Sequence, residues 1–248
     1  MKLTVLGSGT CVPSLQRNAS GYLIKESGHQ ILVDCGSGTL LQLEKSGNSY
    51  KDVDAVFITH SHPDHFADLL PLLHALLYAP NFHREKDFQI FAPHAFRKYY
   101  DQAIASILGT PDRFRIVLNE VQQTMNCGPV LVRSIKTVHS ADSVAYRFEC
   151  GGKAIVLTGD ADYDQGIIAL ASGADILITD CSFPDALKVP GHMSAKECGR
   201  VAAQAHAKQL ILSHLYPADT PDIDRVTEAA EYFNGSIRLA EDLMVIEL

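Results

Sequence analysis

An α/β fold whose strand ends carry metal ligands is predicted by three observations. Short apolar, β-branched runs recur along the chain, as at Val53 to Ile58 and Lys153 to Thr158. Helix-start signals stand between such runs, as in the capping box Ser194-Ala195-Lys196-Glu197. The runs end repeatedly in histidine or aspartate. Strands that alternate with helices belong to the α/β class.

In chain order, Lys2 to Leu6 is a first strand closed by Gly7-Ser8-Gly9-Thr10. That stretch lacks both GxGxxG and Gly-Lys-Ser/Thr, so it reads as a tight turn and not as a phosphate loop. Gly21 to Lys25 and Gln30 to Val33 form a hairpin around Ser27-Gly28. The second arm ends at Asp34, where a carboxylate is costly unless it is paired or orients a metal-bound imidazole. Asp34 is therefore a candidate for that orienting role. Thr39 to Lys45 is a short helix.

The next strand, Val53 to Ile58, runs into His60-Ser61-His62-Pro63-Asp64-His65. Three imidazoles and a carboxylate in one short stretch are the nitrogen and oxygen donors that zinc or a similar first-row cation takes at ~2.0–2.2 Å. Pro63 holds His62 out of helical geometry and suits the first position of a helix, so the ligands sit on a strand-to-helix turn. One helix is expected from Asp64 to about Ala79, with Pro71 absorbed near its start. His74 on it falls about half a turn out of phase with His65, away from the metals.

Phe88 to Phe91 is a strand flanked by His83 and His94, which are assigned no role, and Ala95 to Leu108 is a helix. Arg115 to Leu118 and Val130 to Val138 are strands, the second ending in His139 as the earlier one ended in His60. Ser143 to Cys150 and Lys153 to Thr158 form a hairpin across Gly151-Gly152 and end in Gly159-Asp160, so Asp160 is the next ligand. Asp162 and Asp164 read as a solvated helix start. Asp175 to Thr179 is a strand, and His192 stands just before the helix that Ser194 caps. Gln209 to Leu212 delivers His214; a helix from Ile223 to Phe233 and strands at Ile237 to Leu239 and Leu243 to Leu248 complete the chain.

With 46% apolar and 20% charged residues among 248, and no linker-like tract, one domain spanning residues 1–248 is expected. The opening apolar run is too short for a signal peptide and no run reaches membrane-spanning length, which points to a cytoplasmic protein without a membrane partner. Six scattered cysteines fit reduced thiols. Lys and Arg number 21 against 29 Asp and Glu, a formal charge of −8, which disfavours a long nucleic acid as substrate.

Seven candidate ligands thus lie at strand ends: His60, His62, Asp64, His65, His139, Asp160 and His214. The HxHxDH turn followed by histidine, aspartate and histidine resembles the metallo-β-lactamase superfamily along the whole chain. The resemblance implies a four-layer αββα sandwich with two metals at one edge. It puts His60, His62 and His139 on one cation, Asp64, His65 and His214 on the other, and Asp160 between them. Asp34-Cys35-Gly36 matches the family's early Asp motif. Asp160, Gly191-His192-Met193-Ser194 and Ser213-His214-Leu215-Tyr216-Pro217 are similar to its ribonuclease Z-like phosphodiesterase branch. Ribonuclease Z proper has a tRNA-gripping arm between the positions of His139 and Asp160, where only a tight hairpin fits here. The spacing resembles instead the cyclic phosphodiesterase of phosphonate degradation, without that enzyme's cysteine-rich zinc site; only Cys11 lies in the corresponding loop.

The expected activity is hydrolysis of a small or cyclic phosphodiester by hydroxide made available at two divalent cations, zinc first, with manganese or iron as alternatives. Asp64 is expected to orient or deprotonate the nucleophile, and His192 to bind developing charge or protonate the leaving oxygen. The alternatives are a lactone, thioester or sulfate ester hydrolase, a ribonuclease Z-type endonuclease, and a metal-binding regulator without turnover. A homodimer is implied by the resemblance alone.

Overall fold

The computed structural model describes residues 1–109, 111–217 and 224–248. After strand β1 (Lys2–Gly7), the turn Ser27-Gly28 joins β2 (Gly21–Glu26) to β3 (His29–Cys35) with φ of 48° and 80° at its two residues. Positive φ at both positions gives the two-residue hairpin turn whose twist matches its strands. The chain then lays down β4 (Ala55–Phe57), β5 (Phe88–Ala92) and β6 (Ile116–Glu120), each parallel to the one before.

A second sheet follows, again in chain order: β7 (Thr124–Cys127), β8 (Val130–Lys136), β9 (Val144–Cys150), β10 (Lys153–Leu157), β11 (Ile176–Asp180), β12 (Gln209–Ser213) and β13 (Ser236–Leu239). The turn Gly151-Gly152 between β9 and β10 repeats the positive-φ pair at 57° and 75°. From β10 to β13 the strands are parallel. The last strand, β14 (Val245–Glu247), returns to the first sheet beside β1. The sequence does not announce β7, a short edge strand with two exposed residues.

The two sheets face each other. Side chains on alternate positions, such as Val33 and Phe57 from one sheet and Val132, Tyr146 and Ile178 from the other, form the core between them. The intervening positions face outward and are apolar too. Leu32, Val56 and Ile58 pack under α1 (Thr39–Lys45) and α3 (Leu69–Tyr78), which α2 (Pro63–Phe66) precedes. Helices α4 (Phe96–Tyr99) and α5 (Ser106–Leu108), joined by a π-helical turn over Tyr100–Ala105, lie on the same side. Val156, Leu177 and Leu210 pack under α6 (Gln165–Leu170), α7 (Ala195–Gln204) and α8 (Arg225–Ala230). The layers are helix, sheet, sheet, helix, so the protein is an αββα sandwich.

The helix expected over 64–79 is broken in two at Ala67 and Asp68. Proline lacks an amide donor and clashes with the carbonyl four residues earlier, so Pro71 is accommodated only in a first helical turn. The break puts it there and frees Asp68, whose carboxylate accepts from Gly38 N and Leu40 N at 3.0 Å each, at the start of α1. The Ser194 capping box forms as its sequence predicts.

Parallel strands on both sides of the sandwich end at one edge. There β3 leads into Asp34, β4 into His60, β8 into His139, β10 into Asp160, β11 into Asp180 and β12 into His214. Tyr146, fully buried in the core, donates its hydroxyl to Ile58 O at 2.7 Å and links the sheets two residues before His60. No helix among the described residues is long and apolar enough to cross a membrane.

Candidate metal centre

The ligand-bearing turn is shaped by a carboxylate beneath it. Asp34 accepts from Thr59 N at 2.8 Å and from Thr59 Oγ1 at 3.0 Å, directing the chain out of β4. His62 is extended, with φ −77° and ψ 140°, and Pro63 opens α2 so that Asp64 and His65 fall in its first turn. On the facing sheet, Gly159 has φ 57°, and a Cβ there would stand 2.8 Å from Thr59 Cβ. Glycine therefore lets the strand carrying Asp160 close onto the turn. Asp34 and His214 themselves have φ of 57° and 54°. Non-glycine residues in this region cost about 1–3 kcal/mol each, which the surrounding contacts must offset.

The seven predicted ligands converge as two clusters. In the first, His62 Nδ1 is 2.8 Å from His60 Nε2 and 3.1 Å from His139 Nε2, and Asp160 Oδ2 is 3.6 Å from each of those Nε2 atoms. In the second, His65 Nε2 and His214 Nε2 are 3.4 Å apart; Asp64 Oδ2 lies 3.7 and 3.5 Å from them, and Asp160 Oδ1 3.2 Å from both. Asp160 thus offers one oxygen to each cluster.

Ring nitrogens converging on one point cannot all hydrogen-bond to one another. Donors held at ~2.0–2.2 Å from a common cation are spaced about 3.0–3.5 Å apart, and the distances here, 2.8 to 3.7 Å, bracket that spacing. Asp160 Oδ1 is buried and has no hydrogen-bond partner among the described residues. An orphaned buried carboxylate oxygen is strongly unfavourable. A cation in each cluster accounts for both features, so the residues present fit two divalent ions.

The outward nitrogens are tied down in turn. His60 Nδ1 is 3.1 Å from Thr59 Oγ1, whose proton goes to Asp34, so the ring donates there and turns a lone pair inward. His65 Nδ1 donates to Asp34 Oδ2 at 2.6 Å, His139 Nδ1 to Gly191 O at 2.9 Å and His214 Nδ1 to Ser182 Oγ at 3.0 Å. Such partners select the tautomer and the orientation of a metal-binding imidazole. Asp34 therefore has the orienting position its sequence context suggested.

Charge is arranged to match. Burial drives the His60 and His139 rings to lower pKa and keeps them neutral. Burial also opposes a proton on His65 and His214, but Asp160 and the neighbouring carboxylates outweigh it and raise both. Asp160 resists burial for the same reason: His214 and His65 hold its carboxyl well below the usual range.

His192 stacks on His214 with ring centroids 5.7 Å apart and planes at 9°, and meets His139 edge-on at 4.8 Å. Its Nδ1 is held by Asp180 Oδ2 at 2.7 Å, while Ser182 Oγ donates to Asp180 Oδ1 at 2.6 Å. Asp160, Asp180, His192 and His214 also lie within ligand spacing of one another. These hydrogen bonds already satisfy Asp180, which leaves His192 Nε2 unengaged among the described residues. Asp162, expected to be only a solvated helix start, accepts from Gly191 N at 2.9 Å and pairs with Lys188, anchoring the loop that carries His192. Asp164 caps α6.

Sequence reasoning passed over Asp180 and Ser182. The signal that singled out Asp34, a carboxylate closing an apolar strand, was present at Asp180 as well. The glycine turn after β1 is structural: Ser8 N and Ser8 Oγ both donate to Asp242 Oδ1, at 3.0 and 2.8 Å. His74 is exposed beside Tyr78. A groove of about 1130 Å³, lined in part by Asp142, lies to one side of the ligands.

The sequence matches the family described as Beta-lactamase superfamily domain over residues 29–215, which include both clusters. It is 31% identical over 260 residues to the probable metallo-hydrolase YhfI of Bacillus subtilis, covering 100% of both chains. The crystal structure of that metallo-beta-lactamase fold protein superposes with a TM-score of 0.88 at 29% identity, over 99% of this chain and 98% of that one. Ribonuclease Z of Archaeoglobus fulgidus is 27% identical over 301 positions, covering 100% of this chain and 97% of the relative. Human tRNase Z, short form, superposes with a TM-score of 0.81 at 25% identity, over 100% of this chain and 99% of that one. The chain belongs to the β-lactamase superfamily and is a metal-dependent hydrolase within it.

Proposed function

We propose that the protein is a phosphodiesterase that hydrolyses a small or cyclic phosphodiester with two cations, zinc in the first place, held by the seven convergent residues. The observation that carries this is the Asp160 carboxylate, one oxygen facing each cluster at 3.2 Å or 3.6 Å. Two cations so placed supply Lewis-acid stabilisation of a phosphoryl group and activation of water. Asp64 offers Oδ2 to the second cluster, and its carboxylate, whose pKa is lowered, would take a proton from the attacking water as the water oxygen forms the new bond to phosphorus. The opposite phosphorus–oxygen bond breaks, and the leaving oxygen takes a proton from His192 Nε2. Asp180 fixes the His192 ring for that transfer from the far side.

Cleavage of RNA is the second reading, favoured by the names of the ribonuclease Z relatives. Against it, Gly151-Gly152 closes the β9–β10 hairpin at once, with no arm between His139 and Asp160. The formal charge of −8 opposes a long polyanion.

Metal-analysed protein should hydrolyse bis(p-nitrophenyl) phosphate in preference to a lactone, a β-lactam or an aryl sulfate, and Asp64→Ala should abolish that turnover. An unprocessed tRNA cleaved without diester turnover would establish the RNA reading. Turnover of another ester alone would move the substrate class away from phosphate.

A further inference from the structure

The two turns that supply the first cluster belong to different sheets, and one side chain joins them. Ser61, between His60 and His62, donates its hydroxyl to Asp142 Oδ2 at 2.5 Å. Ser140, next to His139, donates to Asp142 Oδ1 at 2.8 Å. Asp142 thus spans from one ligand turn to the other while lying in neither ligand cluster. Its own turn is braced by Ser143, whose Oγ accepts from Ser140 N at 3.1 Å and lies 3.2 Å from Thr137 O. A backbone bond, Val144 N to Thr59 O at 3.0 Å, ties the same two segments at the base.

The need for such a tie follows from burial. His65 and His214, in the second cluster, are 0% and 4% exposed and are held by packing as well as by hydrogen bonds. In the first cluster His60 is 0% exposed and is held in the same way, but His62 is exposed and His139 half-buried, so packing does not fix the outer part of that cluster. An open turn keeps a set geometry only through directed bonds, and a charge-assisted hydroxyl-to-carboxylate bond is a strong one.

We propose that Asp142 is a positioning residue that sets the separation of His60 and His62 from His139, and so tunes the affinity of the first cation site without touching the cation. This rests on the seven residues holding two cations. The test is a cobalt(II) titration of metal-stripped protein, followed by absorption and by calorimetry, on wild type, Asp142→Ala, Asp142→Asn and Ser61→Ala. His139→Ala identifies which binding step belongs to the first cluster.

Wild type should bind two cobalt ions in two steps. Asp142→Ala should weaken the first-cluster step about 10–100-fold and alter its d–d absorption, with the other step close to wild type. Asp142→Asn keeps an acceptor for one serine and presents an amide to the other, so it should recover most of the loss. Ser61→Ala, which removes one arm and no charge, should weaken the same step if Asp142→Ala folds poorly. Two unchanged steps in folded Asp142→Ala, or equal weakening of both, would overturn the positioning role. Wild-type protein that binds no cobalt would instead overturn the two-cation reading on which it rests.

Discussion

The two ligand clusters use the same donor chemistry and differ in how their outer members are supported. The second is enclosed: His65 and His214 are buried, and carboxylates from neighbouring strand ends, Asp34 and, through Ser182, Asp180, stand behind them. The first reaches the open edge: His60 is buried, but His62 is exposed, and serine hydroxyls, a backbone carbonyl and Asp142 hold the turns that carry His62 and His139. Burial strengthens electrostatic support and makes any broken contact expensive; exposure makes geometry depend on a few directed bonds. Access for a substrate and the less rigid support therefore occur on the same side.

Removing the shared ligand is the most direct way to break this comparison. Asp160→Ala should release both cations and cut turnover by several kcal/mol, on the order of a thousandfold or more. Elemental analysis beside kinetics checks it, and two retained cations would show that the clusters are independent. His192→Ala should lower diester turnover about 10²–10⁴-fold with both cations retained. Its effect should be larger for an alkoxide than for a p-nitrophenolate leaving group, because only the former needs the proton; equal effects would remove His192 as the acid.

Asp34→Ala sharpens the comparison on the buried side. It strips the partner of His65 and leaves Thr59 N without its acceptor, so the second cation should bind about 10–100-fold more weakly. Stability should fall by about 3 kcal/mol from the buried groups left unpaired, measured by urea denaturation of the metal-free protein. A stability loss without weaker metal binding would make Asp34 purely structural.

The smallest expected effect is a control at the opposite edge, before β11. Burial opposes ionisation of Asp175, but Lys208 Nζ at 2.8 Å and the Ala154 amide at 2.9 Å outweigh it and hold the carboxyl below its usual range. A depressed carboxyl pKa stabilises the fold above the unfolded value of ~4, and the benefit is lost as pH falls through the folded value. Asp175→Asn should therefore cost about 1 kcal/mol at pH 7, with the difference from wild type shrinking below about pH 4. Metal content should not change. Denaturation curves at several pH values check the sign.

The fold class and the seven convergent residues were legible because their signals are local. Apolar runs, a proline after His62 and a capping box at Ser194 act within a few residues, and histidine or aspartate at a strand end needs no distant information to be noticed. The break before Pro71 was half legible: the proline was evident, but which carbonyl would give way depended on Asp68 reaching the start of α1. Asp180 closes an apolar strand as Asp34 does and was passed over all the same, whereas Ser182 and Asp142 carried no local mark, since aspartate and serine in loops are ordinary.

By itself, the sequence determined the alternation of strands and helices, the donor types and their places at strand ends. Tertiary structure decided which donors converge into each cluster, that Asp160 divides its oxygens between the two, and which residues stand behind them. Those relations join groups far apart along the chain, as His65 and His214 are, and they exist only once two sheets pack face to face and bring their strand ends to one edge. Chain-local preferences act over a turn or a strand; the spacing of a metal site to within tenths of an ångström is set by the packing of whole sheets.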